Sequence, residues 1–311
     1  MTAVQINQSM TLRQWGALFA LSVLWGGSFF FIGVAVKELP PLTMVTMRLI
    51  IASLALYAVM RATGVKMPRG VRTWLAFAWL GLINNVVPFS LFAWGQTHIT
   101  GGLASIINAT TPLFTVLVAH LLTRDERMTI GHVLGAMIGL AGVAAMIGAD
   151  TGSFFTDSVL AQLACLFASI CYAFAGVYGR RFAGMGIPPL AAATAQLTAS
   201  SFLILPVMLL VDQPWALPAP SAAALAAIVG QSLFSTALAF VVFFHLLATA
   251  GATNVALVAF LNPVTAMVLG TAFLGERIAA AQLIGMAIIG IGLALIDGRP
   301  VRAIALAVRA P

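Results

Sequence analysis

From Thr73 to Thr123 the chain runs 51 residues without an Asp, Glu, Lys or Arg, and from Gln213 to Gly275 it does so again for 63. Soluble domains are about a quarter charged, so stretches like these cannot form a water-facing surface. Over all 311 residues 61% are hydrophobic and 7% charged, which makes hydrocarbon the natural solvent. A soluble enzyme and a disordered scaffold are excluded at this point. In lipid every backbone polar group needs an internal partner, which makes helices the spanning elements for long apolar runs. The expected fold is an all-α integral membrane protein.

At about 20 residues per span the runs divide into ten helices. Gln14 to Val36 is the first, too long for a cleavable signal segment, and the stretch from Glu38 to Arg61, interrupted only by Arg48, is the second. The 51-residue run holds two, separated by the loop Trp94 to Gly102. Met128 to Ala149, Ser158 to Gly179 and Phe182 to Val211 hold one each. In the 63-residue run, Pro214 to Ser221 is loop, two spans follow, divided near Ala250 to Asn254, and Ile278 to Ile296 is the tenth. With both ends cytoplasmic, twelve basic residues are inside: Arg13, Arg61, Lys66, Arg69, Arg72, Arg124, Arg127, Arg180, Arg181, Arg299, Arg302 and Arg309. Only Lys37 and Arg277 are outside, so the positive-inside rule predicts N-in, C-in topology in an inner or plasma membrane. The net charge of +7 therefore needs no nucleic acid. Cys165 and Cys171 sit about 240° apart round a helix and ~9 Å along it, too far for a disulfide. No metal-ligand spacing, Walker loop or nucleophile elbow is present, so neither metal, cofactor nor enzymatic activity is expected.

The second half restates the first at an offset near 150. Thr110-Thr111-Pro112-Leu113 matches Leu261-Asn262-Pro263-Val264, Glu126-Arg127 matches Glu276-Arg277, and Gly135 and Gly142 match Gly285 and Gly292. Pro40-Pro41-Leu42 matches Pro188-Pro189-Leu190, which sets Arg48 opposite Gln196 and Trp25 near Tyr172. Residues 1–149 and 150–311 are thus expected to be two five-helix repeats, the second ending in a short basic tail. An odd number of spans per repeat sends the second copy into the bilayer upside down, the arrangement of alternating-access carriers with sites at the repeat interface. A channel is the alternative.

Leu24-Trp25-Gly26-Gly27-Ser28-Phe29, Met47-Arg48-Leu49 and the paired blocks Pro112/Glu126-Arg127 and Pro263/Glu276-Arg277 resemble the EamA family of the drug/metabolite transporter superfamily. The likeness runs from about Trp15 to Ile296. It implies a five-plus-five inverted repeat around a central cavity and transport, often export, of amino acids or other small metabolites.

Arg48 is the one charge well inside a predicted span, where an arginine costs at least ~2.5–3.5 kcal/mol unless it faces water or a partner. Either it faces a cavity and grips a carboxylate through two nitrogens, or it snorkels, or it pairs with Glu276 or Glu38 to hold an outer gate. Pro112 and Pro263 are expected to break the fourth and ninth helices and to free the carbonyls of Asn108 and Ala259. Asn108, Thr111 and Thr115 share a helix face beside that break, and Asn262 precedes the second proline; these polar groups are binding groups or interhelical glue. Asn84, Asn85, Gln196, Ser235 and Ser28 complete the polar candidates, with Gln231 and Thr236 nearby. Trp25 and Tyr172 lead the aromatic ones, ahead of Phe89, Phe92, Trp94 and Phe240, with packing as the competing role. No acid falls inside a span and the four histidines lie toward span ends, so downhill movement uncoupled from protons is expected. The predicted cargo is an amino acid or related zwitterion. A lipophilic-drug efflux carrier is the alternative, although a cationic drug would call for an intramembrane carboxylate.

Overall fold

Thr11 opens the first helix with a capping box: its side chain accepts from the Gln14 backbone N–H, and the Gln14 side chain reaches back to Thr11. From there the computed structural model, which describes residues 10–123, 128–148 and 156–297, is a succession of helices. We label them α1 (Leu12–Ala35), α2 (Pro41–Ala62), α3 (Val71–Gly95), α4 (Gly101–Leu122) and α5 (Ile130–Gly148). The second set is α6 (Asp157–Gly184), α7 (Pro189–Val211), α8 (Ala222–Ala250), α9 (Val258–Leu274) and α10 (Ala280–Asp297). Eight are long and apolar enough to cross a membrane, and α5 and α9 are shorter apolar helices. No strand occurs among the described residues. Arg124, Glu126, Arg127, Arg299, Arg302, Arg309 and the expected boundary at residues 149 and 150 lie outside the described residues.

Large apolar side chains cover the outside of the bundle. Phe202 is 73% and Leu210 78% exposed, a pattern that suits acyl chains and not water. Inside, the helix pairs form a matched set. The principal ones are α1–α9 with α6–α4, α3–α6 with α8–α1, and α3–α7 with α8–α2, while α2–α7 and α5–α10 pair with their own counterparts. Moving five helices along the chain maps this set onto itself, so the internal repeat of the sequence is repeated in the packing.

Matching irregularities fall within the helices. α3 widens to a π-helix at Leu82–Val86 and α8 does so at Gln231–Leu238. Such stretches loosen the backbone and re-aim side chains, and they are frequent at functional sites. α4 is interrupted at Ala109 and Thr110, and Pro112 sits in the first turn of its second half. The carbonyl of Asn108 is not left open there, because the Thr111 hydroxyl donates to it at 2.7 Å. The expected break at Pro263 falls elsewhere. α9 runs through this proline, and the interruption lies upstream, between the short helix Ala252–Val255 and Val258. Pro263 is the sixth residue of α9, so the donor it lacks would have met the Ala259 carbonyl inside the helix, and α9 continues past that missing bond.

The small-residue faces of α5 and α10 close on each other within the monomer. A Cβ on Gly135 would lie 2.5 Å from the Gly292 carbonyl oxygen, and one on Gly142 would lie 3.0 Å from that of Gly285. Gly292→Val should therefore force the two backbones apart. The expected outcome is a lower yield of folded protein and a lower Tm in detergent, whereas Gly290→Ala, at a glycine with open space around it, should leave both unchanged.

Candidate functional site

Arg48 is buried on α2, the only charged side chain in the buried set of the described residues. Its guanidinium carbon stands 3.7 Å from the centre of the Phe89 ring on α3, and its Nε donates to Thr236 Oγ1 on α8 at 2.9 Å. A desolvated cation on an aromatic face gains about 2 kcal/mol, which offsets part of the cost of burial. Nη1 and Nη2 donate to no group among the described residues, leaving free the two nitrogens that would grip a carboxylate. The partners expected for an ion pair are engaged elsewhere: Glu38 holds Ser221, and Glu276 holds Gly101 and Gly102. Arg48 is thus neither paired with them nor snorkelled to a surface.

The widened turn of α8 extends the network. Thr236 Oγ1 donates to the Gln231 carbonyl at 3.1 Å, five residues back, and Gln231 Nε2 donates to Ser28 Oγ on α1 at 3.2 Å. Three helices from both halves are so joined through one π segment. Gln231 Oε1 and Ser235 Oγ on the same segment are buried without a partner among the described residues, as are Asn85 Oδ1 on α3 and Asn262 Oδ1 on α9. An unmet buried acceptor costs about 1–3 kcal/mol, so these oxygens suit a site that receives donors from water or cargo.

Tyr172 on α6 stacks on Phe92 at 6.1 Å and 17°, Phe92 meets Phe29 edge-on at 5.7 Å, and Tyr172 packs against both central apolar clusters. Trp25 lies in a different cluster, against Phe243 at 5.3 Å, with Leu18, Leu21 and Leu246. Asn85 donates to Ser200 Oγ on α7 at 3.0 Å, and its neighbour Asn84 is half-buried. Gln196 is buried on α7, Asn108 and Thr111 bond locally, and the Asn262 backbone lies where α9 crosses Gly26 of α1. Arg48, Ser28, Ser235 and Gln231 therefore gather around one segment. Thr236, noted beside Ser235, turns out to be the direct partner of the arginine. Two cavities, of about 480 and 520 Å³, lie away from Arg48, at the α2–α3 loop and between α3, α4 and α6.

One end of the bundle carries an arrangement that sequence reading missed. Glu38, after α1, accepts from the Ser221 backbone N–H and hydroxyl, both at 2.7 Å, at the N-terminus of α8. Asp212, at the end of α7, accepts from the Thr43 backbone N–H at 2.6 Å and its hydroxyl at 2.8 Å, in the first turn of α2. Glu276, after α9, accepts from Gly101 N–H at 2.9 Å and Gly102 N–H at 3.1 Å, at the start of α4. Each carboxylate meets the positive end of a helix in the other half. The hydrogen bonds from the Ser221 side chain and then its backbone hold the Glu38 carboxyl below the usual glutamate range. This contribution is in full force above the ordinary pKa and is lost as pH falls through the lowered one. At the opposite end, one link between the halves among the described residues is a neutral one, Gln14 Nε2 to the Thr249 carbonyl at 2.9 Å. The partners in the three carboxylate contacts are separated by 169 to 183 positions, which is why no local motif announces them.

Comparison with known proteins agrees with this architecture. The model of the EamA-like transporter family matches twice, over residues 14–148 and 159–297. The chain is 29% identical to the uncharacterized inner membrane transporter YedA of Escherichia coli K12, over 92% of this chain and 90% of that one. It is 28% identical to a probable terminal-alkyne amino-acid exporter of Streptantibioticus cattleyicolor, over 91% and 93% of the respective chains. A solved crystal structure shares the fold with a TM-score of 0.66 at 21% identity, covering 92% of this chain and 97% of the other. With a duplicated family match across nearly the whole of an apolar helical bundle, the chain belongs to the EamA-like transporter family, as a membrane transporter and not an enzyme.

Proposed function

We propose that the chain exports amino acids or related zwitterions across the inner membrane by alternating access, with Arg48 holding the cargo carboxylate. The observation that carries this reading is a buried guanidinium at the seam of the two halves, with two nitrogens free and unpartnered acceptor oxygens on the neighbouring π segment. Guanidinium and carboxylate match as a bidentate pair, and acceptor oxygens suit an ammonium group. The amino-acid exporter among the relatives favours the same cargo class. Residues 1–149 and 150–311 act as inverted repeats in this account, supported by the self-mapping helix pairs and the matched π segments. The three carboxylate contacts then lie on the outer side and latch it shut, so this conformation is closed outward. Transport opens the latch as one half rocks against the other. Tyr172 and the polar residues Ser28, Asn84, Asn85, Gln196, Ser235 and Asn262 line or support the route. Trp25, Asn108 and Thr111 shape the helices beside it, as do the flanking prolines Pro112 and Pro263.

N-in, C-in topology is part of this proposal. Reporter fusions after Gly70 and Ala183 should read cytoplasm and a fusion after Thr156 the outside; a periplasmic signal at Ala183 would break the inverted arrangement. No acidic side chain is buried among the described residues, so flux should follow the cargo gradient and persist when an ionophore collapses the proton gradient. Uphill accumulation driven by an imposed pH difference, at clamped potential, would contradict this and point to His120 and His245. Counterflow in proteoliposomes loaded with a mixed amino-acid pool tests the function itself. Exchange of at least one amino acid is expected, and none of the pool moving would reject the reading.

A further inference from the structure

The loop from α2 to α3 wraps a cavity of about 480 Å³, whose walls include Tyr57, Met60, Arg61, Lys66, Met67 and Arg69. Its shape is built in. Val65 N–H donates to the Met60 carbonyl at 3.1 Å, closing the end of α2, and Gly64 takes the left-handed conformation at φ 71° that this closure requires. At the far side Trp74 Nε1 donates to the Pro68 carbonyl at 3.1 Å and fixes the descent into α3. The last turn of α2 and the loop thereby hold three cations round one cavity that no carboxylate lines. The side chains of Arg61, Lys66 and Arg69 make no hydrogen bond or ion pair among the described residues, so no described residue compensates their mutual repulsion.

The remaining walls are apolar. Tyr57, 43% exposed on the last turns of α2, is an amphipathic ring of the kind found at headgroup level, and Met60 and Met67 continue the apolar side. A basic recess bordered by apolar wall at the end of a spanning helix matches a phosphate joined to glycerol and acyl chains. We propose that this cavity binds the phosphate headgroup of an anionic phospholipid from the leaflet on that side. The lipid sits with its phosphate among Arg61, Lys66 and Arg69 and its glycerol against Tyr57 and Met60. The inference is independent of the cargo and of which way the chain faces.

Native mass spectrometry of the intact protein, with phosphatidylglycerol and phosphatidylethanolamine supplied in equal amounts, tests it. Phosphatidylglycerol should be retained in preference. Lys66→Gln and Arg69→Gln should each weaken its retention about fivefold, the factor that ~1 kcal/mol per basic residue near an anionic leaflet corresponds to. Arg72→Gln removes the same charge from a neighbour that does not line the cavity, and should leave retention unchanged. Equal retention of the two lipids would overturn the proposal. So would an equal loss in Arg72→Gln, which would show unspecific charge attraction. A further arm adds inorganic phosphate: failure to displace the lipid supports a lipid site, and displacement at modest concentration would reassign the cavity to free phosphate.

Discussion

Arg48→Gln is expected to slow transport of carboxylate-bearing cargo about 10- to 100-fold while leaving the amount of protein in the membrane unchanged. The size follows from the two nitrogens left free by the contact with Thr236. A hydrogen bond to a charged group contributes about 1.5–3 kcal/mol, and each ~1.4 kcal/mol is a factor of ten. Glutamine copies Gln196, the matching residue of the other half, and removes a charge that lipid disfavours, so insertion should not suffer. Arg48→Lys should fall between the two, since a lysine keeps the charge but loses the planar fork. Proteoliposome efflux, normalised to immunoblotted protein, checks both. A variant with wild-type flux would reduce Arg48 to a packing residue over Phe89, and a variant that fails to accumulate would make it structural.

Glu276→Gln is expected to release the closed side. The carboxylate takes two backbone N–H groups with two oxygens, and an amide offers one oxygen and an NH₂ that faces a donor. Loss of one charge-assisted bond and of the charge at the helix terminus should shift the balance of conformations about tenfold or more toward the outward-open one. An impermeant maleimide applied to whole cells reads this shift through Ser235→Cys, placed next to the arginine's partner, with Cys165 and Cys171 replaced by serine. Labelling of Ser235→Cys should accelerate about tenfold when Glu276→Gln is added. Unchanged labelling would mean that the carboxylate contacts do not govern access.

Much of this architecture was legible because hydrocarbon imposes simple rules. Uncharged run lengths placed ten helices, and the loops at Trp94 to Gly102 and Ala250 to Asn254 fell where α3 gives way to α4 and α8 to α9. The Pro263 break was misplaced, because a proline signals a missing donor but not where along the helix the loss is absorbed. The π segments could not be read, since a shift from four- to five-residue hydrogen bonding in Leu82–Val86 and Gln231–Leu238 leaves no compositional mark. Arg48 stood out by its charge alone. Its partner Thr236 lies 188 positions away, and the pairing of Glu38, Asp212 and Glu276 with helix starts is likewise set by the tertiary fold. Gly135 and Gly285 announced close packing but not with whom, and α5 against α10 gives the answer.

The central claim is that Arg48 recognises the carboxylate of the cargo. Its most direct test is competition in proteoliposome counterflow between an amino acid the protein exchanges, its methyl ester and the amine lacking the carboxylate. If the claim is right, the free amino acid inhibits exchange in the wild type, the ester and the amine do so at least about tenfold more weakly, and this preference collapses in Arg48→Gln. Equal inhibition by all three in the wild type, or a preference that survives Arg48→Gln intact, would contradict it.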